Sequence, residues 1–338
     1  MRVPMLYNDN KKGLQLMNIS SPISNQPPMR ELNVSNDLLD DRQALNAAWE
    51  RDGYWFFRDV LDQASVSRLR GVYMDLLDEL GVTQKDDAEA LYSGKSLEGF
   101  PFRMEPLVER EIWRPFVQEP PIHAFFQRLL DDQPFWIPTV EYRATPPTAE
   151  RKPSRLDYLH QDGFYNVGIP FLICWIPLSV ISDEIGGLVL AEGMHKGPYL
   201  HDVNTPPLFP IPNGSVPDHA WRRTTYRPGD VLLMHINTPH SGLANYSDRF
   251  RLSMDIRIMG ASGHTPIIGT LTALSSSSVS VVGDDGRTGT FVVDTQTYCR
   301  GIDGKKVPLD EIPQRMKAGD SAIVAFSDGH ATLIRPPH

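Results

Sequence analysis

The chain is expected to fold as a mainly β protein with flanking helices, and three observations point there. Beyond Pro134 the sequence breaks into short apolar runs separated by Pro, Gly and Asp, the spacing of antiparallel strands rather than of alternating helix and strand. Before Pro134, stretches of helical periodicity flank one compact aromatic run. After Gly260, Asp-Gly pairs separate β-branched runs, which reads as a small all-β C-terminal appendage.

Taken in order, the first residues, Met1-Arg2-Val3-Pro4 and the polar, Pro-containing sequence to Met29, lack the apolar core of a secretory signal, and 1–36 is expected to be a flexible arm. Asp37 to Glu50 is helix-compatible, and Tyr54-Trp55-Phe56-Phe57 after Gly53 reads as a buried strand. Asp62 to Leu80 predicts a helix, because Val66, Leu69, Val72, Leu76 and Leu80 recur every three or four positions, Asp62 can cap the start and Gly81 can end it. Asp86 to Pro101 is polar and aperiodic, a candidate mobile lid, and Pro120 to Leu130 is again helical. Strands are expected at Thr139 to Ala144, Leu156 to His160, Phe171 to Leu178, Gly187 to Ala191, Asp230 to His235 and Phe250 to Met259, with turns at Gly186-Gly187 and Pro228-Gly229 and a long loop from Pro198 to Arg223. In the appendage, Asp285-Gly286, Asp303-Gly304 and Asp328-Gly329 are hairpin signals, and Ser275 to Ser278 is the one low-complexity tract.

Composition narrows the function. Of 338 residues, 41% are apolar and 22% charged, and no charge-free run approaches the roughly 18 residues of a membrane helix, so no membrane association is expected. Lys and Arg number 33 against 42 Asp and Glu, a net charge of −9 with no basic block, which argues against nucleic acid and for a small-molecule substrate. Cys174 and Cys299 make neither a disulfide framework nor a thiolate metal site, and a reducing, cytoplasmic setting is expected.

The chemistry starts at Leu159-His160-Gln161-Asp162-Gly163. His-x-Asp is weak evidence alone, since ten histidines and abundant acids make one chance occurrence unsurprising. On a strand, however, residues i and i+2 point to one side, so an imidazole and a carboxylate converge on one ion, as a two-His-one-carboxylate iron site requires. The second imidazole has eight downstream candidates: His195, His201, His219, His235, His240, His264, His330 and His338. His240 stands out because Arg251 follows eleven positions on, in the alternating stretch Phe250-Arg251-Leu252-Ser253-Met254-Asp255 that places Arg251 and Ser253 on one face. A guanidinium fork with a neighbouring hydroxyl suits a dicarboxylic cosubstrate, although a lone strand Arg is ordinarily a salt-bridged structural residue.

Order and spacing resemble the phytanoyl-CoA dioxygenase family of Fe(II)- and 2-oxoglutarate-dependent oxygenases from about Asp37 to Gly260. The resemblance runs through Trp49-Glu50-Arg51-Asp52-Gly53-Tyr54, then Pro146-Pro147, Lys152, Ser154-Arg155 and Leu159-His160-Gln161-Asp162. It continues in Trp175-Ile176-Pro177-Leu178, Asp183, Gly186-Gly187-Leu188 and Gly193-Met194-His195-Lys196-Gly197, and closes with Gly229-Asp230, His235, His240, Asn245 and Arg251. It implies a double-stranded β-helix, a cupin-like jelly roll, over 37–260, followed by the extension 261–338. It also implies His160, Asp162 and His240 as iron ligands, Arg251 as partner of the distal 2-oxoglutarate carboxylate and Trp175 as a wall of that pocket, with Ser253 and Tyr142 as further cosubstrate contacts. The implied reaction consumes O2 and 2-oxoglutarate, releases succinate and CO2 and oxidises, by default hydroxylates, a C–H bond of a small molecule such as a secondary metabolite. Asp162 argues against halogenation, for which related enzymes carry a small residue at that position. Glu192, Met194 and Gly242 depart from residues common in the family.

His195 and His235 fit positions that are not ligands, and Cys174 reads as a buried small hydrophobe. Arg143 beside Tyr142 is a candidate to line the site, and Arg103, Arg110, Arg114, Arg151 and Arg155 are candidates to receive an anionic substrate, although exposed charges are usually just solvated. Two other readings stay open: an iron oxygenase without 2-oxoglutarate, which Arg251 with Ser253 disfavours, and a non-catalytic metal-binding β-barrel. The extension is expected to pack on the barrel or to mediate self-association into a homo-oligomer.

Overall fold

The computed structural model describes residues 29–84, 89–148, 159–166, 168–205, 209–212, 214–300 and 306–337. Its elements in chain order are β1 (Arg30–Glu31), α1 (Arg42–Asp52), β2 (Tyr54–Phe57), α2 (Gln63–Leu80), α3 (Glu105–Glu109), α4 (Trp113–Gln118), α5 (Pro120–Leu130), β3 (Pro134–Thr145) and α6 (Asp162–Tyr165). Then come β4 (Leu172–Pro177), β5 (Gly187–Ala191), β6 (Trp221–Arg223), β7 (Val231–His235), β8 (His240–Leu243) and β9 (Arg251–Gly260). The remainder is β10 (Ile267–Leu274), β11 (Ser278–Gly283), β12 (Thr288–Val292), β13 (Tyr298–Cys299), α7 (Ile312–Arg315), β14 (Ser321–Ser327) and β15 (His330–Arg335).

Two facing sheets build the jelly roll. The larger has the order β2-β7-β4-β9-β3 and the smaller β1-β6-β5-β8. One face of the larger sheet carries Val140, Tyr142, Leu233, Leu252, Met254, Ile256 and Ile258 into a core shared with α1, α2, α4 and α5. Its other face carries Phe56, Ile173, Trp175, Leu232 and Met234 into the space between the sheets. This two-sided burial is why Tyr54-Trp55-Phe56-Phe57 is apolar without alternation: Trp55 and Phe57 face the helices, Tyr54 and Phe56 the sheet interior. Each fully buried ring there contributes about 1.5–3 kcal/mol.

Helix α2 follows its periodicity. The Asp62 carboxylate accepts the Ser65 amide at its start, and Gly81, at φ +67°, closes it in the left-handed region that favours glycine. Helix α1 starts later than expected, at Arg42, because the Asp41 side chain rather than Asp37 caps it. Helices α3 and α4 and strands β6 and β8 were not foreseen; all are six residues or shorter. Of the expected arm, the described residues are held against the barrel: Arg30–Glu31 pairs in parallel with Arg222–Arg223, and Leu32 is buried. Residues 89–101 of the expected lid are pinned, with the Tyr92 amide on the Asp248 carbonyl and Phe100 packed against Phe250. Of the expected Leu156 to His160 strand, 156–158 lie outside the described residues, as does Asp303-Gly304.

The C-terminal extension forms a six-stranded sheet, β12-β11-β10-β14-β15-β13, with its own core around Val279, Val324 and Ile334. Asp328 and Gly329, both at positive φ, make the tight turn between β14 and β15. This sheet packs on the barrel, where Ile323, Ala325 and Leu333 join Ile137, Ile169, Phe171 and Met259 in one cluster. Cys174 and Cys299 are both buried; burial pushes the Cys174 thiol well above its usual range and the Cys299 thiol to about 12. Both thiols are therefore expected to ignore a thiol reagent at about pH 8 until the chain unfolds, and prompt labelling of the native protein would contradict their placement.

Candidate active site

The inner face of the larger sheet turns polar along β9 and β3. On β9 the side chains of Leu252, Met254, Ile256 and Ile258 take the helix-covered face, so Arg251, Ser253, Asp255 and Arg257 point between the sheets. Register places Thr145, Arg143 and Glu141 of β3 beside Arg251, Ser253 and Asp255, and Trp175 of β4 on the other side of Asp255.

Opposite this face stand His160, Asp162 and His240, each offering one ligand atom within 4.8 Å of the others. His160 and His240 exchange both backbone hydrogen bonds, each N···O 3.0 Å, which sets the two imidazoles side by side with ring centroids 4.3 Å apart. Asp162 does not sit on a strand, as the motif suggested. Gln161 is extended, and Asp162 opens the single turn α6, so one extended residue is enough to bring the carboxylate to the side of His160, with Oδ1 3.2 Å from His160 Nε2. Gln161 is itself clamped: its amide donates to His201 Nε2 at 3.1 Å, and its side chain bridges the Leu200 amide and the Asn237 carbonyl. Gly163 has no room for a side chain, because an added Cβ would lie 2.3 Å from Asn237 Oδ1 and 2.8 Å from the Tyr199 hydroxyl.

The electrostatics favour ligands ready for a metal. His240 Nδ1 lies 2.9 Å from the Thr238 carbonyl, which fixes the proton there and presents Nε2 to the site. Burial, reinforced by neighbouring His160, brings His240 down to about 4, so its imidazole is neutral. Burial acts to raise the Asp162 carboxyl, but the Arg257 guanidinium and the two histidines outweigh it and hold the group well below the usual carboxylate range. Arg257 Nη2 takes Asp162 Oδ2 at 3.0 Å, and its Nη1 lies 3.0 Å from Asp255 Oδ1. Asp255 is the weaker acid of the two: burial pushes it up to about 6 despite Arg257. Two imidazoles and a carboxylate suit Fe(II), whereas a structural zinc site would usually close with a fourth protein ligand, and none joins the cluster among the described residues.

The structure thus brings together all three expected ligands, and Arg251, Ser253 and Trp175 face the same space between the sheets. Arg251 is buried and its Nη1 donates to the Leu243 carbonyl at 2.6 Å. Leu243 stands three residues beyond His240 on β8, roughly 10 Å along the backbone at the usual strand rise. Trp175 is buried in the sheet interior against Tyr226, ring centroids 4.7 Å apart. Tyr142 is a correction: it faces the helices, packs on Tyr73 and accepts the Trp113 amide at 3.2 Å, because strand alternation sends Glu141 and Arg143, not Tyr142, inward.

Arg110 and Arg114 form surface ion pairs with Glu79 and Glu111, and Arg151 and Arg155 lie outside the described residues. Arg103 differs from them: its Nη2 reaches Glu141 at 3.2 Å, and its Nη1 is buried without a partner among the described residues. His195 and His235 stand apart from the triad, 5.1 Å from each other. Sequence reasoning missed Arg257 and Asp255, although the alternation that singled out Arg251 and Ser253 continues through them.

A family profile described as Phytanoyl-CoA dioxygenase (PhyH) matches residues 49–253. The 1-deoxypentalenic acid 11-beta-hydroxylases of Streptomyces exfoliatus and Streptomyces arenae are each 31% identical to the chain, over 242 and 244 residues, covering 67% of this chain and 84% of the relative. Among solved structures, the epimerase SnoN in complex with Fe3+, alpha ketoglutarate and nogalamycin RO aligns over 87% of this chain and 99% of its own, at 20% identity and TM-score 0.48. EvdO2 from Micromonospora carbonacea var. aurantiaca complexed with 2-oxoglutarate aligns over 65% and 91%, at 21% identity and TM-score 0.45.

Proposed function

Because this chain belongs to the phytanoyl-CoA dioxygenase family, we propose that it hydroxylates an unactivated C–H bond of a small carboxylic acid of secondary metabolism. It is a 2-oxoglutarate-dependent non-heme iron dioxygenase, which sets aside the non-catalytic and 2-oxoglutarate-independent readings. The observation that carries the reading is the triad His160, Asp162 and His240 facing a buried Arg251 across the sheet interior.

In this reading His160, Asp162 and His240 hold the iron, and Arg251 with Ser253 takes the distal carboxylate of 2-oxoglutarate. When bound, iron and 2-oxoglutarate supply O2 activation coupled to oxidative decarboxylation, which yields succinate and CO2. The protein's part is presentation and exclusion. Thr238 keeps Nε2 of His240 toward the metal, and Arg257 occupies Asp162 Oδ2 so that one carboxylate oxygen remains for ligation. Trp175 would wall the pocket, and the apolar cluster shared by the barrel and the C-terminal sheet would help keep water from the site.

Arg103 supports the substrate class. One nitrogen binds Glu141, and Nη1 is buried with no partner among the described residues, so a carboxylate reaching it would gain a charge-assisted hydrogen bond. The Streptomyces relatives are named for hydroxylating an acid. The test is a panel of cyclic carboxylic acids and their methyl esters, with succinate release and oxygen incorporation as readouts. An acid should couple and its ester should not, and Arg103→Ala should raise KM for the acid by about tenfold or more while changing kcat far less. An ester processed as well as its acid refutes the substrate class.

A further inference from the structure

We propose that the C-terminal sheet is a working part of the metal site, in which Arg335 acts through Asn166 as a positioning residue for Asp162. The inference rests on the reading of Asp162 as a metal ligand.

Helix α6 is four residues long, a single turn that has no stability of its own, so the placement of Asp162 depends on what holds that turn. The side chain of Asp162 is held from the barrel by Arg257. Its backbone is held from the other direction. Asn166, the residue after α6, donates from Nδ2 to the Asp162 carbonyl at 2.9 Å, and its Oδ1 accepts Nη1 of Arg335 at 2.7 Å. Asn166 and Arg335 are both buried, at 6% and 3% exposure. A second arginine of the extension, Arg300 just past β13, reaches the Tyr165 carbonyl at 3.5 Å.

The segment leaving α6 is fitted to the same strand. Gly168 adopts φ +98°, and an added Cβ would stand 3.2 Å from the Thr332 carbonyl oxygen and 3.3 Å from Leu333 Cβ. Just beyond, Ile169 and Phe171 pack with Ile323, Ala325 and Leu333. An interface that served only to bury apolar surface has no use for a guanidinium, whose burial is costly. Burial, with Arg300 and Arg257 nearby, lowers Arg335 to about 9, the mark of a cation kept where water is scarce. Its Nη1 goes to the side chain that ties the turn to the ligand backbone, while its Nε is held by the Pro336 carbonyl at 3.1 Å.

The experiment is titration of the full-length apoprotein with Mn(II) alone, followed by electron paramagnetic resonance of the free ion, beside thermal unfolding of the same samples. Arg335→Met should raise the Mn(II) Kd by about tenfold or more, the usual effect of losing a residue that orients a metal ligand, and Arg335→Lys should fall between it and wild type. Asn166→Ala, which leaves the C-terminal sheet untouched, should do the same and stands in if Arg335→Met does not fold. Ile323→Val is the control: it thins the same interface away from α6 and should lower the melting temperature with no change in Kd.

A Kd within about twofold of wild type in Arg335→Met and Asn166→Ala overturns the proposal, since loss of a ligand-orienting partner shifts affinity by more than that. An equal loss of affinity in Ile323→Val overturns it too, by tracing the effect to general loosening. Failure of the wild type to bind Mn(II), or unimpaired binding by His240→Ala, would strike the ligand reading instead.

Discussion

Asp162→Asn is expected to cut substrate-coupled turnover by about 1,000-fold or more while leaving the barrel folded. The amide matches the carboxylate in shape but is neutral and a poor ligand, and the metal is left with two imidazoles. Arg257 would then face Asp255 alone on this side of the site. Asp162→Ala is the harsher exchange: breaking a buried ion pair from one side costs about 3–5 kcal/mol, so lost activity there mixes ligand loss with unfolding. Succinate release, Mn(II) affinity and the melting temperature, read together, separate the two. Normal turnover by Asp162→Asn would remove Asp162 from the ligand set.

Arg251→Met should raise KM for 2-oxoglutarate by about 100-fold or more with Mn(II) binding unchanged. Each charge-assisted hydrogen bond lost at a buried site is worth about 1.5–3 kcal/mol, and a bidentate fork makes two. Arg257 is the informative contrast. It lies on the same face of β9, six residues along, and its two terminal nitrogens serve the ligand end of the site: Nη2 reaches Asp162, and Nη1 reaches the Thr139 carbonyl and Asp255. Arg257→Met should therefore weaken metal binding more than it weakens 2-oxoglutarate binding. Should Arg257→Met move the 2-oxoglutarate KM and Arg251→Met leave it alone, the two roles are exchanged.

Much of this architecture was legible because burial writes periodicity into sequence. Helix α2 and the strand Tyr54-Trp55-Phe56-Phe57 are covered on the faces their patterns announce. Strand β8 was not legible: His240-Ser241-Gly242-Leu243 has no pattern of its own and is a strand because Gly187–Leu190 and His160 pair with it. The convergence of His160, Asp162 and His240 could be read from order and spacing, since chemistry fixes which side chains must meet. Tyr142 failed on parity, because one step along a strand reverses the face. Arg257 failed for a different reason: a charge late on a strand reads as solvent-facing until its two carboxylate partners are seen, and one of them is 95 residues away. The Arg335–Asn166 bond joins residues 169 apart, a distance over which no local pattern speaks.

The strand order of the larger sheet also governs how this protein can be handled. Tyr54 pairs with Met234, and Phe57 with Val231, so apart from a single bridge from Val34 to Phe56 the aromatic strand β2 finds its ladder partner only far along the chain. Closing loops of that size is slow, and a bare apolar strand awaiting its neighbour is a template for association with other chains. Refolding from denaturant should consequently compete with aggregation in a concentration-dependent way. Apoprotein for the metal titrations is best obtained by chelation from the native state, never by passing the chain through an unfolded one.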